Sequence, residues 1–196
     1  MPANNVLLYG DAGTGKSSAV KAIANEFAPE GLRLVEVKKN QLYQIPDLMD
    51  KLAANPLKFI LFIDDLAFDQ DDKTYSALKT ILEGGLEKRP VNVAIYATSN
   101  RRHLVRQTFS ERAGEEIDTF ETISEKTALA ERFGLRIPYM TMNKRDYLAL
   151  IDHLAGLYQV EMDRELLHAR AMEWEIRHAG RTPRVARQFI ASLRTP

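Results

Sequence analysis

Gly10-Asp11-Ala12-Gly13-Thr14-Gly15-Lys16-Ser17 is the stretch on which the fold turns. It fits the spacing G-x-x-x-x-G-K-[ST] and stands between a strand-like run, Val6 to Tyr9, and a helical stretch, Lys16 to Phe27, with Val20, Ile23, Ala24 and Phe27 at helical spacing. Glycines let the backbone curl so that successive N–H groups face inward. The helix that follows adds its positive N-terminal end, and together they form a cradle for phosphates. Gly10 through Ser17, with Ser18 behind them, are the candidate nucleotide-binding residues. Lys16 is expected to reach the β and γ phosphates of ATP, and Ser17 to offer its hydroxyl to Mg²⁺.

Outward from the loop, strand and helix patterns alternate. Leu32 to Val37 reads as a second strand, and Ile45-Pro46-Asp47 opens a helix with Leu48, Leu52 and Ala53 on one face. Phe59 to Ile63 is continuously apolar, as a strand covered on both faces must be, and Val91 to Ala97 repeats that character after the turn at Gly84-Gly85. Tyr75, Leu78, Lys79 and Leu82 fit the helix crossing between these two, and Leu135 to Tyr139 supplies a fifth strand. The pattern predicts an α/β P-loop core over 1–141, a parallel five-stranded sheet with helices on both faces. From Asn143 only helical patterns follow, which predicts a small all-helical lid over 142–196. Asn143 caps its first helix, with Tyr147, Leu150, Ile151, Leu154 and Leu157 on one face. Asp163 caps the second, and Thr182-Pro183 opens the third, with Val185, Phe189, Ile190 and Leu193 inward.

Composition removes several function classes. Lys plus Arg and Asp plus Glu number 27 each in 196 residues, so no global field draws the chain to nucleic acid or anionic lipid. With no cysteine there is no disulfide, thiolate metal site or cysteine nucleophile, and the four histidines lack metal-ligand spacing. The longest strongly apolar run, Phe59 to Ile63, is far short of the ~20 residues of a membrane span, and Met1 to Asn5 carries no signal-peptide character. A soluble, cytoplasmic protein that does not enter membranes is expected. The densest basic cluster, Arg101 to Arg106, precedes an acidic stretch with Glu115, Glu116 and Asp118; it suits a nucleic-acid backbone, a subunit contact or a solvated loop. Tyr43 is either a pore-facing aromatic or an ordinary tyrosine.

The third strand ends in Asp64-Asp65, at the sheet edge that carries the glycine loop. Asp64 is the candidate Mg²⁺ ligand beside Ser17, and Asp65 the candidate to orient or deprotonate the attacking water. The fourth strand ends Thr98-Ser99-Asn100 at the same edge, where the Asn100 amide can bond the γ phosphate or the water, with Thr98 as second choice.

In this order the motifs resemble the AAA+ superfamily of ring-forming ATPases. Gly10 to Ser17 is similar to Walker A, Phe59 to Asp65 to Walker B, and Ala97 to Asn100 to sensor 1. Ala130 to Leu135 resembles the arginine-finger segment, and Gly180 to Arg184 resembles sensor 2. A bacterial AAA+ family of predicted ATPases of unknown function shares Ala97 to Leu104, Glu131 to Leu135 and Arg184 to Phe189, and it carries sequence ahead of the first strand, so a longer chain is expected. The last two segments are also similar to the Holliday-junction branch-migration motor. The resemblance implies that Arg132 acts in a neighbouring subunit's site, with Arg136 its local competitor, and that Arg184 senses phosphate, with Arg181 the alternative. Asp65 departs from the usual glutamate. The implied protein is an Mg·ATP-hydrolysing homo-oligomer, a ring or filament, moving a protein or nucleic-acid client. A nucleotide-gated binding or loader module with little turnover is the second reading, and a P-loop kinase the third.

Overall fold

The computed structural model describes residues 3–68, 73–83, 90–100, 129–178 and 180–194. The Gly84-Gly85 turn and the Arg101 to Asp118 charge clusters lie outside them. The chain divides into two compact units, 1–10 with 16–138 and 11–15 with 139–196.

The first unit holds β1 (Val6–Gly10), α1 (Lys16–Glu26), β2 (Leu32–Glu36), α2 (Ile45–Ala53), β3 (Lys58–Ile63), α3 (Lys73–Glu83) and β4 (Val93–Ser99). β5 (Leu135–Tyr139) completes a five-stranded sheet of order β2-β3-β4-β1-β5. The pairs β2–β3, β3–β4 and β1–β4 are parallel. Apolar continuity has its expected cause: Phe59 to Ile63 and most of β4 are buried, and alternate residues, Phe59, Leu61 and Ile63 with Val93 and Ile95, pack with Leu7, Leu42, Ile45, Met49 and Leu78 into one core. Register places the site. Tyr9 lies opposite Ser99 and Ile63 opposite Ala97, so Gly10, Asp64 and Asn100 leave the sheet at neighbouring points of one edge. Buried Asn5 fastens this arrangement, its Oδ1 accepting from Ile95 N at 3.0 Å and its carbonyl from Leu135 N at 3.1 Å.

Two local expectations change, and packing fixes one glycine. The fourth strand begins at Val93, not Val91, because Asn92 turns its amide to the carbonyls of Leu52, Asn55 and Leu57 while Val91 is 72% exposed. Ile23 and Phe27 are exposed, and α1 buries Val20 and Ala24 instead. Gly134 has no left-handed backbone; a Cβ there would lie 2.9 Å from Asn4 Oδ1, so close approach requires the glycine.

The second unit holds α4 (Lys144–Leu157), α5 (Arg164–Arg177) and α6 (Pro183–Arg194). Each start has a side-chain cap: Asn143 accepts from Asp146 N, Asp163 from Glu165 N and Leu166 N, and Thr182 Oγ1 from Val185 N. Tyr147, Ile151, Leu154, Leu167, Ala171, Phe189 and Ile190 form its core, whereas Leu157 is exposed beyond it. Asp152 on α4 receives Arg164 at 2.7 Å and His168 Nε2 at 2.6 Å from α5. Partial burial pushes the Asp152 carboxyl up, but these hydrogen bonds and charges outweigh it and hold it below its ordinary value. Trp174 stacks on His178, with ring centroids 4.0 Å apart. The Tyr147 hydroxyl and Trp174 Nε1 are buried with no hydrogen-bond partner among the described residues.

Candidate nucleotide-binding site

In the α/β unit, α1 begins at Lys16, so Lys16, Ser17 and Ser18 form its first turn. Lys16 is buried and donates from Nζ to the Gly10 carbonyl at 3.0 Å. Ser17 Oγ donates to Asp64 Oδ1 at 2.6 Å, across 47 residues of sequence. Thr98 Oγ1 donates to the same oxygen at 2.5 Å and accepts from Asp65 N at 2.9 Å. Asn100 Nδ2 donates to Asp65 Oδ1 at 2.7 Å. These bonds join the ends of β3 and β4 to the start of α1 in one network.

Asp65 carries φ of +53°, in the left-handed region that non-glycine residues enter seldom and aspartate more readily than most. The Thr98 bond to its backbone and the Asn100 bond to its carboxylate hold it there. Thr98, second choice in the sequence, is thus a brace: at 1% exposure it binds the carboxylate of one aspartate and the backbone of the next. The signal for it is a hydroxyl at the end of an otherwise apolar strand.

Ser17 and Asp64 suit Mg²⁺, which prefers hard oxygen ligands. Adjacent ligands of an octahedral ion at ~2.1 Å stand about 3 Å apart, a few tenths more than the 2.6 Å between these two oxygens.

The loop residues 11–15 pack with the helical unit. Gly13 (φ +77°) and Gly15 (φ +102°) take backbone conformations that side chains resist. Thr14 Oγ1 donates to the Asp11 carbonyl at 2.8 Å, and Arg184 N donates to the Gly13 carbonyl at 3.2 Å. Each such bond occupies a loop carbonyl with a donor other than the loop's own backbone N–H groups. A Cβ on Gly13 would lie 3.1 Å from Arg184 Cβ and 3.5 Å from its Nε, so the Arg184 side chain runs along the loop. Arg181 instead faces Glu175 at 3.7 Å. Arg132 belongs to the α/β unit, in the turn after Leu129 and Ala130, half-buried between a buried Ala130 and a buried Phe133.

A search of curated proteins returns no match. A point mutant of RuvB from Thermotoga maritima superposes with a TM-score of 0.59 at 18% identity, covering 96% of this chain and 53% of that one. The replication initiator DnaA bound to AMPPCP and single-stranded DNA gives 0.60 at 15%, covering 97% and 55%. The Aeropyrum pernix ORC2 protein, solved as ADPNP and ADP complexes, gives 0.55 at 13%, covering 99% and 63%. The chain therefore spans between half and two thirds of these structures, and the likeness shows that its fold is that of the AAA+ P-loop ATPases. A protein-family profile described as "Protein of unknown function (DUF815)" matches residues 1–195, and the chain belongs to that family.

Proposed function

We propose that this chain binds Mg·ATP and hydrolyses it, converting the cycle into movement of a protein or nucleic-acid client. The observation that carries the reading is the network Ser17–Asp64–Thr98–Asp65–Asn100 at one sheet edge, with Lys16 buried at the start of α1. Residues 10–18 form the phosphate loop, which holds the phosphates through Lys16 and the backbone N–H groups that face the anion. Bound Mg²⁺ would neutralise phosphate charge and orient the phosphoryl group, held by Ser17 and Asp64. Asp65 orients the attacking water, and Asn100 fixes the Asp65 carboxylate for that role. Arg184 contributes its guanidinium to the phosphates. Arg132 acts in the site of a neighbouring copy, so turnover requires a homo-oligomer, a ring or filament. The working division is a nucleotide-binding core over 1–141 and a lid over 142–196, and the setting is the cytoplasm.

The first test is ATP hydrolysis per chain against protein concentration, with Mg²⁺ present and GTP in parallel. The expected result is a rate per chain that climbs with concentration. Lys16→Ala is expected to abolish nucleotide binding and Asp65→Asn to preserve binding while stopping turnover; an Asp65→Asn protein that hydrolyses normally refutes the base assignment.

One observation favours a second reading, a nucleotide-gated binding module. Asp65 is one methylene shorter than the usual glutamate, and its carboxylate is engaged by Asn100. Tight ATP binding with a flat, near-zero rate would select that reading. Single-stranded DNA is the first client to test, since DnaA of this fold is described as bound to it.

A further inference from the structure

Asp11 occupies a position of the loop pattern where any residue satisfies the spacing, yet it makes two hydrogen bonds to one distant segment. Its backbone N–H donates to the Tyr139 carbonyl at 2.9 Å, and its Oδ2 accepts from Thr141 N at 2.9 Å, a separation of 130 residues. Donor and acceptor together close a ring about Met140, which itself is exposed. Its own carbonyl accepts from Thr14 Oγ1 at 2.8 Å. Three groups of one residue are thereby fixed, and the N–H committed to Tyr139 is not available to phosphate. Tyr139 ends β5, and three residues after Thr141 α4 begins.

We propose that Asp11 is a positioning residue that clamps the phosphate loop to segment 139–141, so that nucleotide in the loop is felt by the segment leading into α4. The inference rests on the Mg·ATP reading above. The carboxylate is an awkward neighbour for a polyphosphate, since like charges repel, so its presence needs a counterpart function. A two-bond clamp supplies one: the acceptor secures Thr141 and the N–H secures Tyr139, so the loop backbone and the segment leading into α4 are held together.

The experiment compares wild type, Asp11→Ala and Asp11→Asn in the full chain. Three quantities are measured: fluorescent-ATP binding with Mg²⁺, kcat and KM for ATP, and amide hydrogen exchange over 139–143 with and without AMPPNP. Asp11→Ala deletes the side-chain acceptor; Asp11→Asn removes the charge but keeps an oxygen for Thr141 N. Exchange at Thr141 is expected to rise about tenfold in Asp11→Ala, the loss of one hydrogen bond. AMPPNP should slow exchange over 139–143 in wild type and not in Asp11→Ala. The alanine variant should lose about tenfold in kcat with KM within about threefold, and the asparagine variant should recover most of the turnover.

Asparagine behaving like alanine would show that charge and not the clamp matters, and would overturn the proposal. So would an alanine variant with wild-type exchange and its nucleotide response intact. If wild type binds nucleotide without measurable turnover, the two exchange comparisons decide. If wild type fails to bind ATP, the Mg·ATP reading falls and this inference with it; binding by wild type with no effect of Asp11→Ala refutes the clamp alone.

Discussion

Replacing Thr98 by valine removes one hydroxyl at nearly constant shape from a residue that is 1% exposed. Two bonds disappear, the donation to Asp64 Oδ1 at 2.5 Å and the acceptance from Asp65 N at 2.9 Å. The first is charge-assisted, a class worth about 1.5–3 kcal/mol. Asp64 retains Ser17 and reaches solvent, while Asp65 N retains a longer bond to Asp64 Oδ1 at 3.2 Å, so the lower part of that range applies, about 1.5–2 kcal/mol. With a urea slope of about 2–3 kcal/mol/M, the unfolding midpoint should fall by roughly 0.5–1 M at unchanged slope. Function should suffer more than stability. The two bonds hold Asp65 at φ +53°, and release of the backbone bond lets the carboxylate leave the position Asn100 gives it. A fall in ATP turnover of about 10²-fold is expected, on the scale of losing one positioned group. Urea titration by far-ultraviolet circular dichroism and phosphate release are the assays, with Thr98→Ser as the variant that restores both. A Thr98→Val protein with wild-type midpoint and turnover would refute the brace.

Arg132→Ala should cut ATP turnover by about 10³-fold, and mixing it with Lys16→Ala, which retains Arg132, should restore part of the rate; no recovery in stable mixed assemblies refutes action in trans. Tyr147→Phe should leave stability unchanged or raise it by about 1 kcal/mol in thermal melts, because the buried hydroxyl it removes has no partner among the described residues. Burial first, and the Glu175 charge second, push the Tyr147 hydroxyl up to about 12 from 10.0, so wild-type stability should decline as pH rises from 10 toward 12, and Tyr147→Phe should flatten that decline. Asp152 gives the opposite limb. Its carboxyl is held below 3.8, so its contribution is complete above that pH and is lost as pH falls through the lowered value; Asp152→Asn should shallow the acid limb of a melting-temperature profile.

The sheet and its edge were legible because their causes are local. A turn that needs φ of +77° and +102° announces itself by glycine, and a strand covered on both faces by unbroken apolar residues. The caps at Asn143, Asp163 and Thr182 were legible for the same reason, since each acts within three residues. The placement of residues 11–15 with the helical unit was not, because the bonds from Asp11 N to Tyr139 and from Arg184 N to Gly13 join backbone groups, which every residue carries and no pattern marks. Helical spacing showed that Val20, Ile23, Ala24 and Phe27 share a face but not how far the neighbouring layer extends along it, which is why Phe27 is 44% exposed. In the site, residue type pointed to Asp64, Asp65 and Asn100. The double engagement of Thr98 depends on register between β3 and β4 that only the folded sheet defines.

The stack of Trp174 on His178 gives the chain an optical property. Trp174 is the single tryptophan, and its indole lies within 7° of parallel to the imidazole, which closes one face to water. His178 begins the short connection to α6, the helix whose first turn carries Arg184. Indole emission, excited selectively over that of the tyrosines, therefore comes from one known place, and a change in its wavelength or quantum yield on adding nucleotide reads that connection directly, without a label and without a background from any other indole.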